Sequence, residues 1–167
     1  MESNHPAPNT SHLIGNSPPL SAAARPLQIL ILKKFDKNIS TAVGITISDA
    51  SIFQSQTGFR RAELLPKSNS GSDPSTTGIK TLHFSLMRDS ARPLNYSHEY
   101  QLVFLETADY STNQFALKTG KIIGANAADG ERLIVQSNVR NPTTLHETAF
   151  TRDVWHNYAL TLNFDEK

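Results

Sequence analysis

The chain has 167 residues, 16 basic and 15 acidic side chains for a formal net charge of +1 at pH 7, and no cysteine. That length suits one domain with a core rather than two. Charge so evenly balanced excludes the basic footprint of a nucleic-acid binder or a protein held on an anionic membrane. The missing cysteines exclude a disulfide framework, a thiol nucleophile and cysteine-ligated zinc.

Residues 1–26 are rich in Pro, Ser, Asn and Ala without periodicity, the composition of a disordered leader. No basic stretch followed by an apolar run of about 7 to 15 residues and a small-residue cleavage site opens the chain, so no secretory signal is expected. The run Leu27 to Leu32 falls far short of the roughly 20 apolar residues of a membrane helix. Sequons at Asn9, Asn38 and Asn95 suit a glycosylated extracellular protein.

From residue 27 to 167 the pattern has period two and predicts one β domain. The expected strands are Leu27 to Lys33, Val43 to Ile47, Phe59 to Leu65, Leu82 to Leu86, Tyr100 to Phe104, Phe115 to Ile123, Leu133 to Val135 and Tyr158 to Phe164. Turn chemistry separates them, as in the Ser/Asn/Gly/Pro run from 67 to 74, Thr119-Gly120, Ala128-Asp129-Gly130 and Asn141-Pro142. Short strands at this spacing, with no helix predicted, indicate an all-β two-sheet antiparallel sandwich or jelly roll.

Two of these segments carry charge that a half-buried strand does not need: Phe59-Arg60-Arg61-Ala62-Glu63-Leu64-Leu65 and His98-Glu99-Tyr100-Gln101-Leu102-Val103-Phe104-Leu105-Glu106. Alternation places Tyr100, Leu102 and Phe104 on the core face and turns Glu99 and Gln101 to the other, together with Val103 and Leu105. Trp155 and Asn157 fall on the face opposite Tyr158, Leu160 and Leu162, where the tryptophan either stacks on a sugar or is buried.

Paired carboxylates from neighbouring strands are the equipment of glycoside hydrolysis, one protonating the leaving oxygen and the other activating water or attacking the sugar. Glu63 and Glu99 are the candidate pair, with Glu106 the alternative to Glu99. Arg61 and Gln101 are the candidate substrate contacts, joined by His83 and His98 as proton carriers or sugar contacts. The competing reading of Arg61 and Glu63 is a surface ion pair worth ~0–1 kcal/mol. The six histidines show no metal-ligand spacing, and no phosphate loop, nucleophile elbow or Ser/His/Asp signature occurs. No metal and no cofactor are expected.

The blocks "ITISDASIFQSQTGFRRAELLP", "GIKTLHFSLMRDSARPLNYSHEYQLVFLE", "STNQFALKTG" and "FTRDVWHNYALTLNFD" resemble the fungal glycoside hydrolase family 131, with the likeness running from about Val43 to Phe164. The resemblance implies a β-jelly roll, extracellular, acting on β-1,3, β-1,6 and β-1,4 glucans. Two carboxylates are proposed to carry the family's chemistry: Glu63 matches one by its place in its block, a glutamate of the block His98 to Glu106 is the second, with strand parity favouring Glu99 over Glu106, and Arg61 and Gln101 match substrate contacts by position. The family's usual start does not resemble residues 1 to about 40. Its domains also run on past the last block into strands that bear a histidine suggested to work in the cleft, so the chain reads as truncated at both ends, with reduced or no activity.

The expected partner is a β-glucan bound by a monomer, with no nucleic acid and no membrane. Two further readings are a carbohydrate-binding sandwich without turnover and, behind it, a polysaccharide lyase.

Overall fold

Among the described residues before 66, only part of the expected β pattern becomes strand. The structure, a computed structural model, describes residues 12–13, 42–65, 74–124, 130–137 and 140–166. The strand expected at Leu27 to Lys33 and nearly all of the leader lie outside those residues. The chain divides into two compact units, one of Met1–His12 with Leu64–Lys167 and the other Leu13–Glu63.

In the smaller unit, which takes in half of β1 (His12–Leu13), the segment from Val43 to Ile47 forms no strand beyond a single bridge residue at Thr46. A 3₁₀ turn over Asp49–Ser51 follows, capped by Ser48: its hydroxyl accepts from Ala50 N at 3.3 Å, and Ser51 Oγ accepts from Ser48 N at 3.0 Å. Both short side chains satisfy backbone donors that a turn leaves open. The chain then doubles back, Ile52 bridging Arg60, and the strand expected over Phe59 to Leu65 contracts to β2, Ala62–Glu63.

The larger unit is a sandwich of two antiparallel sheets. β3 (Ile79–Leu86) pairs with β8 (His156–Asn163). The other sheet runs in the order β4 (Glu99–Glu106), β5 (Asn113–Gly120), β6 (Arg132–Ser137), β7 (Thr144–Ala149). Among the described residues there is no α-helix. β3 alternates as its sequence demands: Leu82, Phe84 and Leu86 pack on the core, while Thr81, His83 and Ser85 face out. Opposite them Leu160 pairs Leu82, and Tyr158 stacks on Phe84 with ring centroids 5.3 Å apart. Outside, Ser85 Oγ donates to Asn157 Oδ1 at 2.6 Å.

The core comprises Val103, Leu105, Phe115, Leu117, Leu133, Val135 and Phe150, closed by the inward residues of β3 and β8. This corrects the expected face assignment in β4. Leu102 is an unpaired residue at a bulge between Gln101 and Val103, and one extra residue inverts the alternation beyond it. Val103 and Leu105 therefore join Tyr100 on the core face. Phe104, expected inward, pairs Ala116 on the face that carries Gln101 and Lys118.

Both crossovers between the sheets, after β3 and after β7, meet at one cluster. Arg88 and Arg152 form a parallel bridge, and Glu131 accepts from Arg88 Nη2 at 2.9 Å and from Arg152 Nη2 at 3.0 Å. Arg88 also donates to the Tyr96 hydroxyl and lies over the Tyr96 and Phe150 rings. Hydrogen bonds from Arg88, then from Arg152, hold the Glu131 carboxyl below its ordinary range.

Candidate active site

β5 is a central strand buried on both faces, reading Asn113-Gln114-Phe115-Ala116-Leu117-Lys118-Thr119-Gly120 with only Gln114 exposed. Phe115 and Leu117 fill the sandwich core. Ala116 and Lys118 point the other way, and their burial shows that this second face is covered as well. A lysine there needs a counter-charge, and Glu99 supplies it.

Lys118 Nζ lies 3.1 Å from Glu99 Oε1, the two side chains only 8% and 10% exposed. Glu99 Oε2 accepts from the Ile123 backbone N–H at 2.8 Å, and Gln101 Nε2 stands 3.4 Å from Oε1. Both carboxyl oxygens are thus engaged as acceptors. Sheet register explains the meeting: Gln101 is directly opposite Lys118 and Glu99 directly opposite Gly120, so Lys118 reaches Glu99 along the diagonal.

Gly120 makes the approach of the strands possible. Its φ is +84°, and a Cβ would fall 2.0 Å from the His98 carbonyl oxygen. That carbonyl accepts from Lys121 N at 3.0 Å, and Gly120 N donates to Gly130 O at 2.9 Å. The tight turn sends the chain back past Glu99, which brings the Ile123 amide to its second oxygen.

The other sequence-predicted residues are distributed as follows. Glu63 is the second residue of β2, in the smaller unit. In the same unit the Arg61 guanidinium lies over the Phe53 ring at 4.7 Å, and Arg60 grips Asp49 Oδ1 with Nη2 at 2.6 Å. His98 is exposed in the turn that leads into Glu99. His83 is exposed on the outward face of β3, opposite Ala159; the sandwich core separates it from the Glu99 face. Glu106 ends β4 opposite Asn113, at the far end of the strand from Glu99. Trp155 is half-buried just before β8, with its indole nitrogen buried and unpartnered among the described residues.

Lys118 was not singled out from sequence, and Gly120 was read only as part of a turn. The signal for Lys118 was present: a charge inside the apolar alternation of β5 raises the same question as the charges on the other two segments.

A depression of about 430 Å³ opens between the edge strands β7 and β8, lined by apolar side chains with His146, His156 and Tyr158. No carboxylate lines it, so it lacks the equipment for glycoside hydrolysis. Burial pushes the Tyr158 hydroxyl above its ordinary range. Among the described residues no cluster of His, Cys, Asp or Glu is arranged to hold a metal, and no helix is long and apolar enough to cross a membrane.

The sequence model of the glycoside hydrolase 131 catalytic N-terminal domain matches residues 5–167. The chain belongs to glycoside hydrolase family 131. The match begins well upstream of about Val43, where the likeness starts, and so includes the polar N-terminal segment. No curated protein sequence matches the chain. Membership of family 131 gives the class of activity, hydrolysis of glycosidic bonds, and in the larger unit of this family 131 domain Glu99 is a buried carboxylate held by a lysine and a backbone amide.

Proposed function

We propose that the chain hydrolyses β-glucan, with β-1,3, β-1,6 and β-1,4 glucosidic bonds as the substrate class, outside the cell and with Glu63 and Glu99 as acid and base. The observation that carries the reading is the setting of Glu99: a buried carboxylate whose two oxygens accept from a lysine ammonium and a backbone amide. In this reading Glu99 is the base that removes a proton from water and Glu63 is the acid that protonates the leaving oxygen.

In the step that follows, the water oxygen bonds to the anomeric carbon and the bond from that carbon to the glycosidic oxygen breaks. Glu99 receives the water proton, and the departing oxygen receives the proton of Glu63. The anomeric centre inverts. Gln101, beside Glu99 on the same face, offers an amide that both donates and accepts at a sugar hydroxyl. Arg61, two residues before Glu63, is the other substrate contact of this reading.

The test is sugar release from β-1,3, β-1,6 and β-1,4 glucans by wild type and by Glu63→Gln. Release that the substitution reduces by a hundredfold or more supports the assignment, since general acid–base groups contribute about 10²–10⁴ in rate. Undiminished release removes Glu63 from the mechanism.

A further inference from the structure

We propose that Lys118 is the positioning residue of the base: its ammonium holds the Glu99 side chain in place, and the pair works as one unit. This rests on the reading of Glu99 as the base. Three observations carry it. The ion pair is 3.1 Å long with both side chains about nine-tenths buried, so little water screens it. The Ile123 amide donates to the other oxygen at 2.8 Å, so both carboxylate oxygens are held. Lys118 sits on a rigid central strand, β5, paired on both edges by β4 and β6.

Burying two opposite charges costs more desolvation than burying an apolar pair of the same volume, and such an apolar pair would hold β4 to β5 at least as well. What the apolar pair cannot do is fix the place of a carboxylate group on the sheet face. Gln101, directly opposite Lys118, joins the same arrangement, its Nε2 donating to Glu99 Oε1 and its Oε1 accepting from Asn113 Nδ2, each at 3.4 Å.

The experiment compares kcat and KM of wild type, Lys118→Met, Lys118→Arg, Glu99→Gln and the double variant Glu99→Gln/Lys118→Met on the best glucan. Each is assayed at least 10 °C below its own melting temperature, so that loss by unfolding does not count. Lys118→Met is expected to lower kcat by tenfold or more with KM within about twofold. Lys118→Arg, which keeps the charge, should recover most of that loss. The double variant should be no slower than Glu99→Gln alone, because groups that act as a unit are not additive.

A lysine with a merely structural role would instead slow Glu99→Gln by the same factor again, and that multiplicative result overturns the proposal. So does a Lys118→Met enzyme with kcat within twofold of wild type. Folded wild type that releases no sugar from any glucan overturns the hydrolytic reading itself, and with it this role for Lys118, and is distinguished from the other outcomes by the wild-type rate alone.

Discussion

Replacing Gly120 by alanine places a methyl group where the His98 carbonyl oxygen stands. The built Cβ lies 2.0 Å from that oxygen and 3.2 Å from the Tyr100 ring, at a φ of +84°. The left-handed backbone alone costs an L-residue about 1–2 kcal/mol. The contact is with backbone, so relief requires β4 and β5 to part at this end. Parting them weakens the hydrogen bonds from Gly120 N to Gly130 O and from Lys121 N to His98 O, each worth about 1 kcal/mol net. The expected loss is therefore about 3 kcal/mol or more. For a chain of this length that lowers the melting temperature by roughly 6–12 °C. Urea unfolding at 25 °C beside a thermal melt measures it. Gly58→Ala serves as the control, since nothing lies within 4 Å of a Cβ there and its cost should stay within about 0.5 kcal/mol. A Gly120→Ala protein within 1 kcal/mol of wild type would refute both the clash and the tight turn that brings Ile123 to Glu99.

Leu117→Ala, at a fully buried position in the core, should cost about 2–5 kcal/mol in urea unfolding, whereas Ile123→Ala, at a side chain 84% exposed, should cost under about 0.5 kcal/mol; similar losses would mean that the core is misplaced. Stability should also fall in acid. Hydrogen bonds from the Thr107 side chain and from Ser111 hold the Asp109 carboxyl down to about 2 from 3.8, and Glu131 and Asp153 are depressed by the Arg88 and Ser90 bonds respectively. Folded values below the unfolded ones stabilise at pH above the unfolded carboxylate range, and that stabilisation disappears as pH falls through the folded values. Unfolding midpoints should therefore drop between pH ~4 and ~2, less steeply in Asp109→Asn; midpoints level across that window would contradict the hydrogen-bonded Thr107–Ser111 turn.

The sandwich was readable wherever apolar residues alternate cleanly. Leu82, Phe84 and Leu86 in β3 and Tyr158, Leu160 and Leu162 in β8 face the core as their spacing predicts. β7 was not read because Thr144-Leu145-His146-Glu147-Thr148-Ala149 is an edge strand with almost every side chain exposed, so burial imposes no pattern on it. Its Leu145 is 62% exposed. At Val43 to Ile47 the alternation is present but only Thr46 takes part in a bridge, and period two alone does not make a strand. In β4 the bulge at Leu102 is invisible to parity, because it arises from pairing with β5 and not from any local preference of the segment. It leaves Glu99 and Gln101 together on the face turned from the core, as their spacing suggested, while moving Val103 and Leu105 to the other side. Lys118 carried the clearest unread signal, a buried charge whose partner is supplied by the neighbouring strand.

The most direct test of the account is sugar release by Glu99→Gln beside wild type on β-1,3, β-1,6 and β-1,4 glucans, with both proteins shown to be folded by their unfolding curves. The amide keeps the shape of the side chain and removes its capacity to take a proton. The account predicts release by wild type and a fall of a hundredfold or more in the variant. Release by Glu99→Gln within a few-fold of wild type would contradict it.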